Sequence, residues 1–411
     1  MYIKRHAAQA LHDLKKHFGA VLVSGPRQVG KTTLIEESII KPGNGKISQA
    51  NLDDPVLLQA ALDESGRFFL DHEPPVFIDE IQYAPKLFPY IKMIADREKK
   101  NGLFFLSGSQ QFSMMQGLSE SLAGRVGIID LLGLSLREIK NDPFCEPFCP
   151  AADYFSARKK PPRFDYHSLW NIIWRGTMPR LYADPAFPHA AFYSAYVRTY
   201  IERDVRAIVN VGDERKFLSF IRSSAARTAQ MLNIAKLAED TDVSRTSAER
   251  WLSILTSAGL VFLLRPFHAN IGKREIKAPK MYFLDTGLAA YLTGWDNPQV
   301  LCKGAMGGAF FETFVIAEII KSYINKGIQP PLYYYRDKEQ REIDLLISRN
   351  GRLFPLEIKM TANPDKKHIS AFAVLDELPA PYVRGEGGLV CCYDELVSLG
   401  AGDKVIPFRY L

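Results

Sequence analysis

The sequence has 411 residues, of which 47% are hydrophobic and 24% charged, and it carries a formal net charge of +6. This length predicts two to four folded units of roughly 100 to 200 residues, and the composition is ordinary for a soluble globular protein. No segment approaches the roughly 18 consecutive apolar residues of a membrane span, and charges interrupt the N-terminal apolar positions, so we expect a cytoplasmic protein with no membrane partner.

The first 140 residues alternate short apolar strands with helical stretches. Strands are expected at AVLVSG, PVFIDE, LFFLSGS and VGIIDLLGL. This alternation predicts a parallel sheet with crossover helices. A segment with proline and cysteine at residues 141–150 interrupts it, so the first domain is predicted to span residues 1–140.

The segment GPRQVGKT follows the first apolar strand and opens a helix, which is the context that the G-x-x-x-x-G-K-[ST] phosphate-binding pattern requires. Gly25 and Gly30 allow a backbone curl whose amides point at phosphate oxygens. Lys31 supplies a positive charge to the outer phosphates, and Thr32 offers a hydroxyl to Mg²⁺. The alternative is a chance glycine loop before a helix. The predicted nucleotide contacts are Gly25, Pro26, Arg27, Gln28, Val29, Gly30, Lys31, Thr32 and Thr33.

Polar residues also end the next two apolar strands. Asp79 and Glu80 follow VFI, where Asp79 could hold Mg²⁺ through water and Glu80 could deprotonate the attacking water. The alternative is that both acids only cap the next helix. Ser107 and Ser109 end LFFLSGS at the same edge of the sheet. Ser107 is the predicted sensor of the terminal phosphate, whereas Ser109 also suits an ordinary turn.

Arg125, in SESLAGRV, is a candidate for contacting a phosphate of its own nucleotide or a neighbour's, with a surface arginine as the alternative. In this order, GPRQVGKT, VFIDEIQ, LSGS and SLAGR resemble the motifs of an AAA-type ATPase of the archaeal and bacterial lineage. The later RGTMPRL, YIERDV and FLDTGLAAYL resemble the uncharacterised region that follows this ATPase in that family. The resemblance implies ATP hydrolysis and a homo-oligomer, and it leaves the substrate open.

Residues 141–225 are predicted to form a helical linker, and residues 226–300 a winged helix-turn-helix. In the latter, a short helix, a polar turn and a second amphipathic helix precede an apolar strand. In the linker, the adjacent charges of Arg203 and Asp204 are expected to form a structural salt bridge and are assigned no catalytic role.

DNA is the predicted partner of this helix-turn-helix. Ser244 is expected to cap its second helix, leaving Arg245, Thr246 and Arg250 for solvent or a groove. Residues 196–280 hold 15 Lys and Arg against 9 Asp and Glu, which suggests contact with phosphate backbones. The alternative is a unit that only packs against the rest of the chain.

The stretch REIDLLISRNGRLFPLEIK predicts a hairpin with Asn350 and Gly351 as its two-residue turn. In that register Asp344 faces Glu357 and Glu342 faces Lys359, all on one face. Opposed like charges destabilise a sheet unless a positive charge lies between them. We therefore expect a divalent cation at this position.

The same residues resemble the site of a PD-(D/E)xK nuclease, with Asp344 on one strand and Glu357 and Lys359 on the next. The resemblance implies a restriction-endonuclease-like α/β domain over residues 301–411. It also implies that Asp344 and Glu357 bind Mg²⁺, with Glu312 from the preceding helix as a further ligand, and that Lys359 stabilises the attacking hydroxide.

Two hypotheses follow for the whole chain. The first is an ATP-driven, DNA-handling machine with a nuclease. The second is a nucleotide-dependent regulatory or scaffold protein in which Glu342 and Lys359 form a salt bridge and the nuclease-like unit does not cut. Metal-dependent cleavage of nucleic acid distinguishes them.

Overall fold

A five-stranded parallel sheet forms the N-terminal part of the computed structural model, which describes residues 2–42, 47–109, 122–201, 214–268, 278–400 and 402–411. The strand order is β2-β3-β4-β1-β5, and every pair is parallel. The carboxyl ends of β1, β4 and β3 therefore lie side by side at one edge. The strands are β1 (Ala20–Ser24), β2 (Ser48–Asn51), β3 (Val76–Asp79), β4 (Phe104–Gly108) and β5 (Val126–Asp130).

Helices cover both faces of this sheet, as the predicted parallel arrangement requires. Val21 and Val23 pack into one hydrophobic core, and Ala20 and Leu22 pack into the other. The continuous apolar run of β1 follows from this burial on both faces. The helices are α1 (Ala7–His17), α2 (Lys31–Ile35, continued by a π-helical turn at Glu36–Ile40), α3 (Pro55–Asp63), α4 (Ser65–Asp71) and α5 (Phe88–Glu98), with 3₁₀ turns at Ile81–Tyr83 and Pro85–Leu87.

The next region is helical in its described part, as predicted. A capping box starts α6, in which the Ser135 hydroxyl accepts from the Glu138 amide and the Glu138 carboxylate accepts from the Ser135 amide. The predicted Arg203–Asp204 pair lies outside the described residues. The helices are α6 (Leu136–Ile139), α7 (Ala152–Ala157), α8 (Tyr166–Arg175), α9 (Pro179–Ala183), α10 (His189–Tyr196, continued by a π-helical turn at Val197–Ile201) and α11 (Glu214–Ala225).

Two helices and a small antiparallel sheet follow. Helix α12 (Ile234–Asp240) is joined by a short turn to α13 (Arg245–Ser257), and Ser244 caps α13 by accepting from the Ser247 amide at 3.1 Å. The sheet has the order β6-β8-β7. Residues 269–277, part of the predicted wing, lie outside the described residues. The other elements here are β6 (Gln230–Met231), β7 (Val261–Leu264), β8 (Lys280–Phe283), α14 (Thr286–Leu292) and α15 (Pro298–Lys303).

A mixed sheet and a central helix form the C-terminal part. Helix α16 (Gly307–Ile324) is apolar around its whole circumference and buries 14 of its 18 residues, the pattern of a core helix. The sheet has the order β14-β15-β13-β11-β10-β9, with β12 paired to β11. Its strands are β9 (Leu332–Arg336), β10 (Glu342–Arg349), β11 (Arg352–Lys359), β12 (Val383–Arg384), β13 (Gly388–Cys391), β14 (Val397–Gly400) and β15 (Asp403–Pro407), with 3₁₀ segments at Lys366–Glu377 and Phe408–Tyr410.

Within the described residues, no helix has the length and apolar character that crossing a membrane requires.

Candidate functional site

The loop between β1 and α2 has the curled backbone that the glycine pattern predicts. Gly25 has φ +147° and Gly30 has φ +90°, conformations that suit glycine. A Cβ atom on Gly25 would lie 2.0 Å from the carbonyl oxygen of Leu131. The loop therefore needs glycine at this position for space as well as for backbone conformation.

Lys31 lies inside the loop. Its Nζ donates to the carbonyl oxygens of Gly25 at 3.1 Å and Pro26 at 2.9 Å. Burial lowers the pKa of Lys31 to about 8, while the charges of Glu80 and Asp79 act in the opposite direction. The ammonium is thus held where an anion entering the loop would meet it.

Three of the predicted residues, on α2, β3 and β4, form a hydrogen-bonded row with Asp79 at its centre. The Thr32 hydroxyl donates to Asp79 Oδ2 at 2.8 Å. The Ser107 hydroxyl donates to the other carboxylate oxygen, Oδ1, of the same aspartate. Because β4 lies between β1 and β3, the strand that carries Ser107 lies between the strand before the loop and the strand that carries Asp79.

Glu80 is the next residue after Asp79, and its backbone adopts a left-handed conformation with φ +55°, which is strained for a glutamate. Its carboxylate accepts hydrogen bonds from the Ser109 hydroxyl at 3.3 Å and from the side-chain amide of Gln82. Ser109 and Gln82 therefore orient Glu80, and the sequence analysis had assigned no role to Gln82.

The other loop residues connect the loop to distant parts of the chain. Arg27 donates to the Tyr83 hydroxyl at 3.1 Å. The carbonyl of Val29 accepts from Arg5 at 2.7 Å. Pro26 packs against the turn after α13, since a Cβ atom on Gly259 would lie 3.0 Å from Pro26 Cγ.

Arg5 is a second residue that sequence reasoning missed. The Arg5 side chain is buried. Besides its bond to Val29, it donates hydrogen bonds to the carbonyl oxygen of Leu132 at 2.7 Å and to the carboxylate of Glu138 at 3.0 Å. It therefore ties the loop to helix α6. The Thr33 side chain lies close by, in a cavity of about 370 Å³ that Gly30 also lines.

Arg125 lies apart from these residues. It precedes β5, at the amino edge of the sheet, and forms an exposed salt bridge with Asp96 at 2.6 Å. A five-residue strand spans roughly 16 Å, so Arg125 does not reach the loop of its own chain. Of the two predicted phosphate contacts, the contact with the chain's own nucleotide does not fit this position, whereas a contact with a neighbouring chain's nucleotide does.

The C-terminal hairpin has the predicted register at its turn. Leu345 pairs with Leu356 and Arg349 with Arg352, which confirms the two-residue turn. The pairing of β10 with β11 ends at Leu345, after a register shift between Ile343 and Leu346 in the pairing with β9.

On its other edge, β10 continues to pair with β9, where Glu342 is opposite Arg336. The expected Glu342–Lys359 pair is not formed, because Glu342 contacts Lys280 and Lys359 contacts Glu357. Asp344 and Glu357 are still neighbours, as expected, since Lys359 Nζ contacts both and the charge of Asp344 raises the pKa of Glu357. The Asp344 carboxylate also accepts from the Ile358 amide at 3.0 Å.

The positive charge between the carboxylates comes from Lys280, at the start of β8. Its Nζ lies 2.6 Å from Glu342, 3.3 Å from Asp344 and 3.4 Å from Glu312. Lys359 Nζ lies 2.6 Å from Glu357 and 3.4 Å from Asp344. Two lysines thus contact four carboxylates, and Lys280 is a residue that the sequence patterns did not indicate.

Burial changes the protonation of this cluster. It raises the pKa of Glu357 to about 8 and that of Glu312 to about 7, and the neighbouring charge of Asp344 adds to both shifts. Glu312 also accepts from the Tyr282 hydroxyl at 2.7 Å. Glu357 Oε2 is buried without a hydrogen-bond partner.

The predicted Mg²⁺ ligands Glu312 and Asp344 both contact Lys280, and Glu357 contacts Lys359. In the part of the chain that the structure describes, no group of three or more His, Cys, Asp or Glu side chains is arranged to hold a metal ion. In this structure the carboxylates have lysine partners, and Mg²⁺ binding by them stays a prediction.

Comparison with known proteins divides the chain into three matched regions. A family model described as an AAA domain matches residues 17–140. Two models described as domains of unknown function, DUF8612 and DUF4143, match residues 166–299 and 307–411. The chain therefore carries an AAA-type ATPase domain ahead of two regions whose activity the family descriptions leave open.

Relatives match along most of the chain. Uncharacterized proteins of Mycobacterium bovis and Mycobacterium tuberculosis are each 31% identical over 382 residues, covering 91% of this chain and 77% of the relative. An uncharacterized protein of Methanocaldococcus jannaschii is 22% identical over 364 residues, covering 85% of this chain and 77% of the relative.

Among solved structures, a Walker-type ATPase of Pyrococcus abyssi is 12% identical with a TM-score of 0.46, covering 71% of this chain and 96% of that chain. AMPPCP-bound DnaA from Aquifex aeolicus is 11% identical with a TM-score of 0.31, covering 61% of this chain and 85% of that chain.

Proposed function

The chain belongs to the family of the two mycobacterial proteins, and we propose that it hydrolyses ATP, with Mg²⁺, at the carboxyl edge of its five-stranded sheet. The observation that carries the proposal is the row formed by Thr32, Asp79 and Ser107 beside the buried Lys31. The AAA-domain match over residues 17–140 supports the same activity.

The loop binds the phosphates. Its backbone amides and the start of α2 offer hydrogen-bond donors and a positive dipole end to an anion. Lys31 Nζ exchanges its bonds to the Gly25 and Pro26 carbonyls for bonds to phosphate oxygens. A bound phosphate favours the ammonium form and so opposes the effect of burial on the pKa of Lys31.

Thr32 and Asp79 are the residues that would hold Mg²⁺. A hydroxyl and a carboxylate are hard oxygen donors, which fit this ion. When bound, Mg²⁺ neutralises charge on the phosphate oxygens. Ser107 keeps the Asp79 carboxylate in place through its hydrogen bond to Oδ1.

Glu80 accepts the proton of the attacking water. Its left-handed backbone turns the side chain away from the regular strand direction, and Gln82 and Ser109 fix the carboxylate. A base held in this way needs little rearrangement when water arrives.

The test replaces Glu80 by Gln, which keeps the size and the hydrogen bonding of the side chain. We expect ATP affinity to stay within a few-fold of wild type while turnover falls by about 10² to 10⁴. Glu73→Gln, at an exposed glutamate of the same domain, is the matched control. Turnover in Glu80→Gln equal to that of Glu73→Gln would refute the role of Glu80.

A second candidate function concerns the C-terminal sheet, which we propose acts as a regulatory or scaffold unit with the architecture of a nuclease and without its cutting activity. Lys280 favours this over the nuclease hypothesis because it contacts Asp344, Glu312 and Glu342 where a metal ion was expected. Wild type and Asp344→Ala should leave DNA and RNA equally intact with Mg²⁺ present. Cleavage by wild type that Asp344→Ala abolishes would reject this view and support a nuclease.

We further propose that α12, α13 and the small sheet form a winged helix-turn-helix that contacts DNA. Arg245, Thr246 and Arg250 are exposed on α13, although Arg245 also pairs with Glu249 at 2.8 Å. Affinity for duplex DNA should fall as salt rises and should fall further in Arg250→Ala. Affinity that does not change with salt would exclude a phosphate-backbone contact.

Arg125 supports a proposal about assembly. It is exposed at the sheet edge opposite the loop, where in a homo-oligomer it could contact a neighbour's nucleotide. Light scattering with ATP should then detect an oligomer, and Arg125→Ala should lower turnover without loss of ATP affinity. A strictly monomeric enzyme with full turnover would exclude this role.

A further inference from the structure

A cavity of about 680 Å³ lies between helix α6, the segments 140–144 and 157–164, and the residues Arg409 and Leu411. It shares no residue with the nucleotide loop or with the acidic cluster around Lys280. Its size lies in the range of small-molecule sites. Seven of its lining side chains are basic: Arg137, Lys140, Arg158, Lys159, Lys160, Arg163 and Arg409.

Few acids offset this charge. Asp142 is the only carboxylate side chain among the lining residues, all of which the structure describes, and it pairs with Arg158 at 2.7 Å. Outside the lining, Glu395 pairs with Lys160 at 2.8 Å and with Arg163 at 3.4 Å. The lining therefore carries seven basic side chains and one acidic side chain, an excess that favours an anionic ligand.

Two of the deepest cations, Arg409 and Arg158, have guanidinium nitrogens without a hydrogen-bond partner. Arg137 donates to main-chain oxygens of Leu411 and Glu146 and to the Tyr154 hydroxyl. Arg409 is 5% exposed, and its Nε and Nη1 have no hydrogen-bond partner. Arg158 is 6% exposed, and its Nε is also unpartnered.

Buried polar groups are normally paired, and a guanidinium has five N–H donors that match phosphate oxygens in a fork geometry.

The wall also has an apolar part. Lys140 Nζ lies 4.0 Å from the centre of the Phe164 ring, and the guanidinium carbon of Arg158 lies 4.8 Å from that of Phe144. Pro143, Pro161 and Pro162 complete this surface. The combination suits a ligand that has phosphate groups and a ring, which is the chemistry of a nucleotide.

We propose that this cavity is a second ligand site, separate from the ATP loop, for a phosphate ester of nucleotide size. The ligand places its phosphate against Arg409, Arg158 and Lys140. Its ring contacts the side of the cavity formed by Phe144 and Phe164. The source is either a free nucleotide or the phosphorylated end of a nucleic acid strand.

The test uses the full chain with Lys31→Ala, so that the ATP loop does not contribute to binding. Isothermal titration at low salt compares AMP, adenosine, inorganic phosphate and a 5′-phosphorylated dinucleotide. We expect AMP to bind and adenosine not to bind. Adding Arg409→Met or Lys140→Met should weaken AMP binding at least about tenfold, whereas Arg67→Met, at an exposed arginine that does not line the cavity, should leave it unchanged. Affinity should fall as salt rises.

The other probes identify the source. A dinucleotide that binds more tightly than AMP indicates the end of a nucleic acid strand, and AMP that binds as tightly or more tightly indicates a free nucleotide. Circular dichroism checks that each variant folds. Lys140 is exposed, so its replacement should not disturb folding, and Lys140→Met tests the phosphate contact if Arg409→Met does not fold. The proposal is overturned if the Lys31→Ala chain binds none of the phosphate-bearing probes, or if Lys140→Met binds them as tightly as Arg67→Met does.

Discussion

Removing the positive charge of Lys280 should destabilise the C-terminal part of the protein. The side chain is 5% exposed, and its Nζ contacts Glu342 at 2.6 Å, Asp344 at 3.3 Å and Glu312 at 3.4 Å. In Lys280→Met the three carboxylates lose their shared cation while the methylene stem is largely retained. Breaking a buried ion pair from one side costs about 3–5 kcal/mol, and we expect a loss of this size at pH 7.

The measurement is urea unfolding followed by tryptophan fluorescence, with Lys303→Met as the control at an exposed lysine. The loss should shrink as pH falls, because protonation neutralises the carboxylates that have lost their cation. Replacing Asp344 by Asn in the Lys280→Met background should restore part of the stability, since the two side chains are in contact.

Two results would refute this reasoning. A change below about 1 kcal/mol, the range of an exposed pair, would mean that Lys280 does not balance the cluster. Recovery of wild-type stability in Lys280→Met on addition of millimolar Mg²⁺ would mean that the carboxylates form a metal site once the lysine is gone, and the nuclease hypothesis would then regain support.

Three further predictions concern the ATPase domain. Arg5→Met should lower the free energy of unfolding, measured with urea, by about 3–5 kcal/mol, because it leaves the buried Glu138 carboxylate without its cation. A loss below about 1 kcal/mol would contradict this. Burial lowers the pKa of His6, so the unfolded chain takes up its proton first as pH falls. Stability should therefore rise with pH below about 6.5 and should rise less steeply in His6→Gln; equal slopes would exclude His6 as the cause. Gly25→Ala should lower ATP turnover by roughly a hundredfold, because the new Cβ atom would displace the loop from Leu131, and unchanged turnover would show that the loop is not the catalytic phosphate site.

The parts of the fold that short sequence patterns determine were predictable. The nucleotide loop depends on glycine conformations within eight residues, and the hairpin register depends on the left-handed Asn350 and Gly351. Four strands of the first sheet followed from apolar runs and their spacing, whereas β2, with the sequence SQAN, has no such run and was missed. In each case the physical cause lies within one or two neighbouring elements.

The residues that sequence reasoning missed act across long separations. Lys280 lies 64 positions from Asp344, and Arg5 lies 133 positions from Glu138. A buried lysine in an otherwise apolar strand, KMYF, was the one local signal for the first. The basic cavity is likewise assembled from α6, from residues 157–164 and from Arg409, which only the folded chain brings together.

The most direct test of the account is the affinity of the full chain for ATP and ADP with Mg²⁺, measured by isothermal titration for wild type, Lys31→Ala and, as a control at a half-buried lysine of α5, Lys92→Ala. The account predicts that wild type and Lys92→Ala bind alike and that Lys31→Ala loses most of the affinity. Absence of ATP and ADP binding by wild type, or binding by Lys31→Ala equal to that of Lys92→Ala, would contradict it.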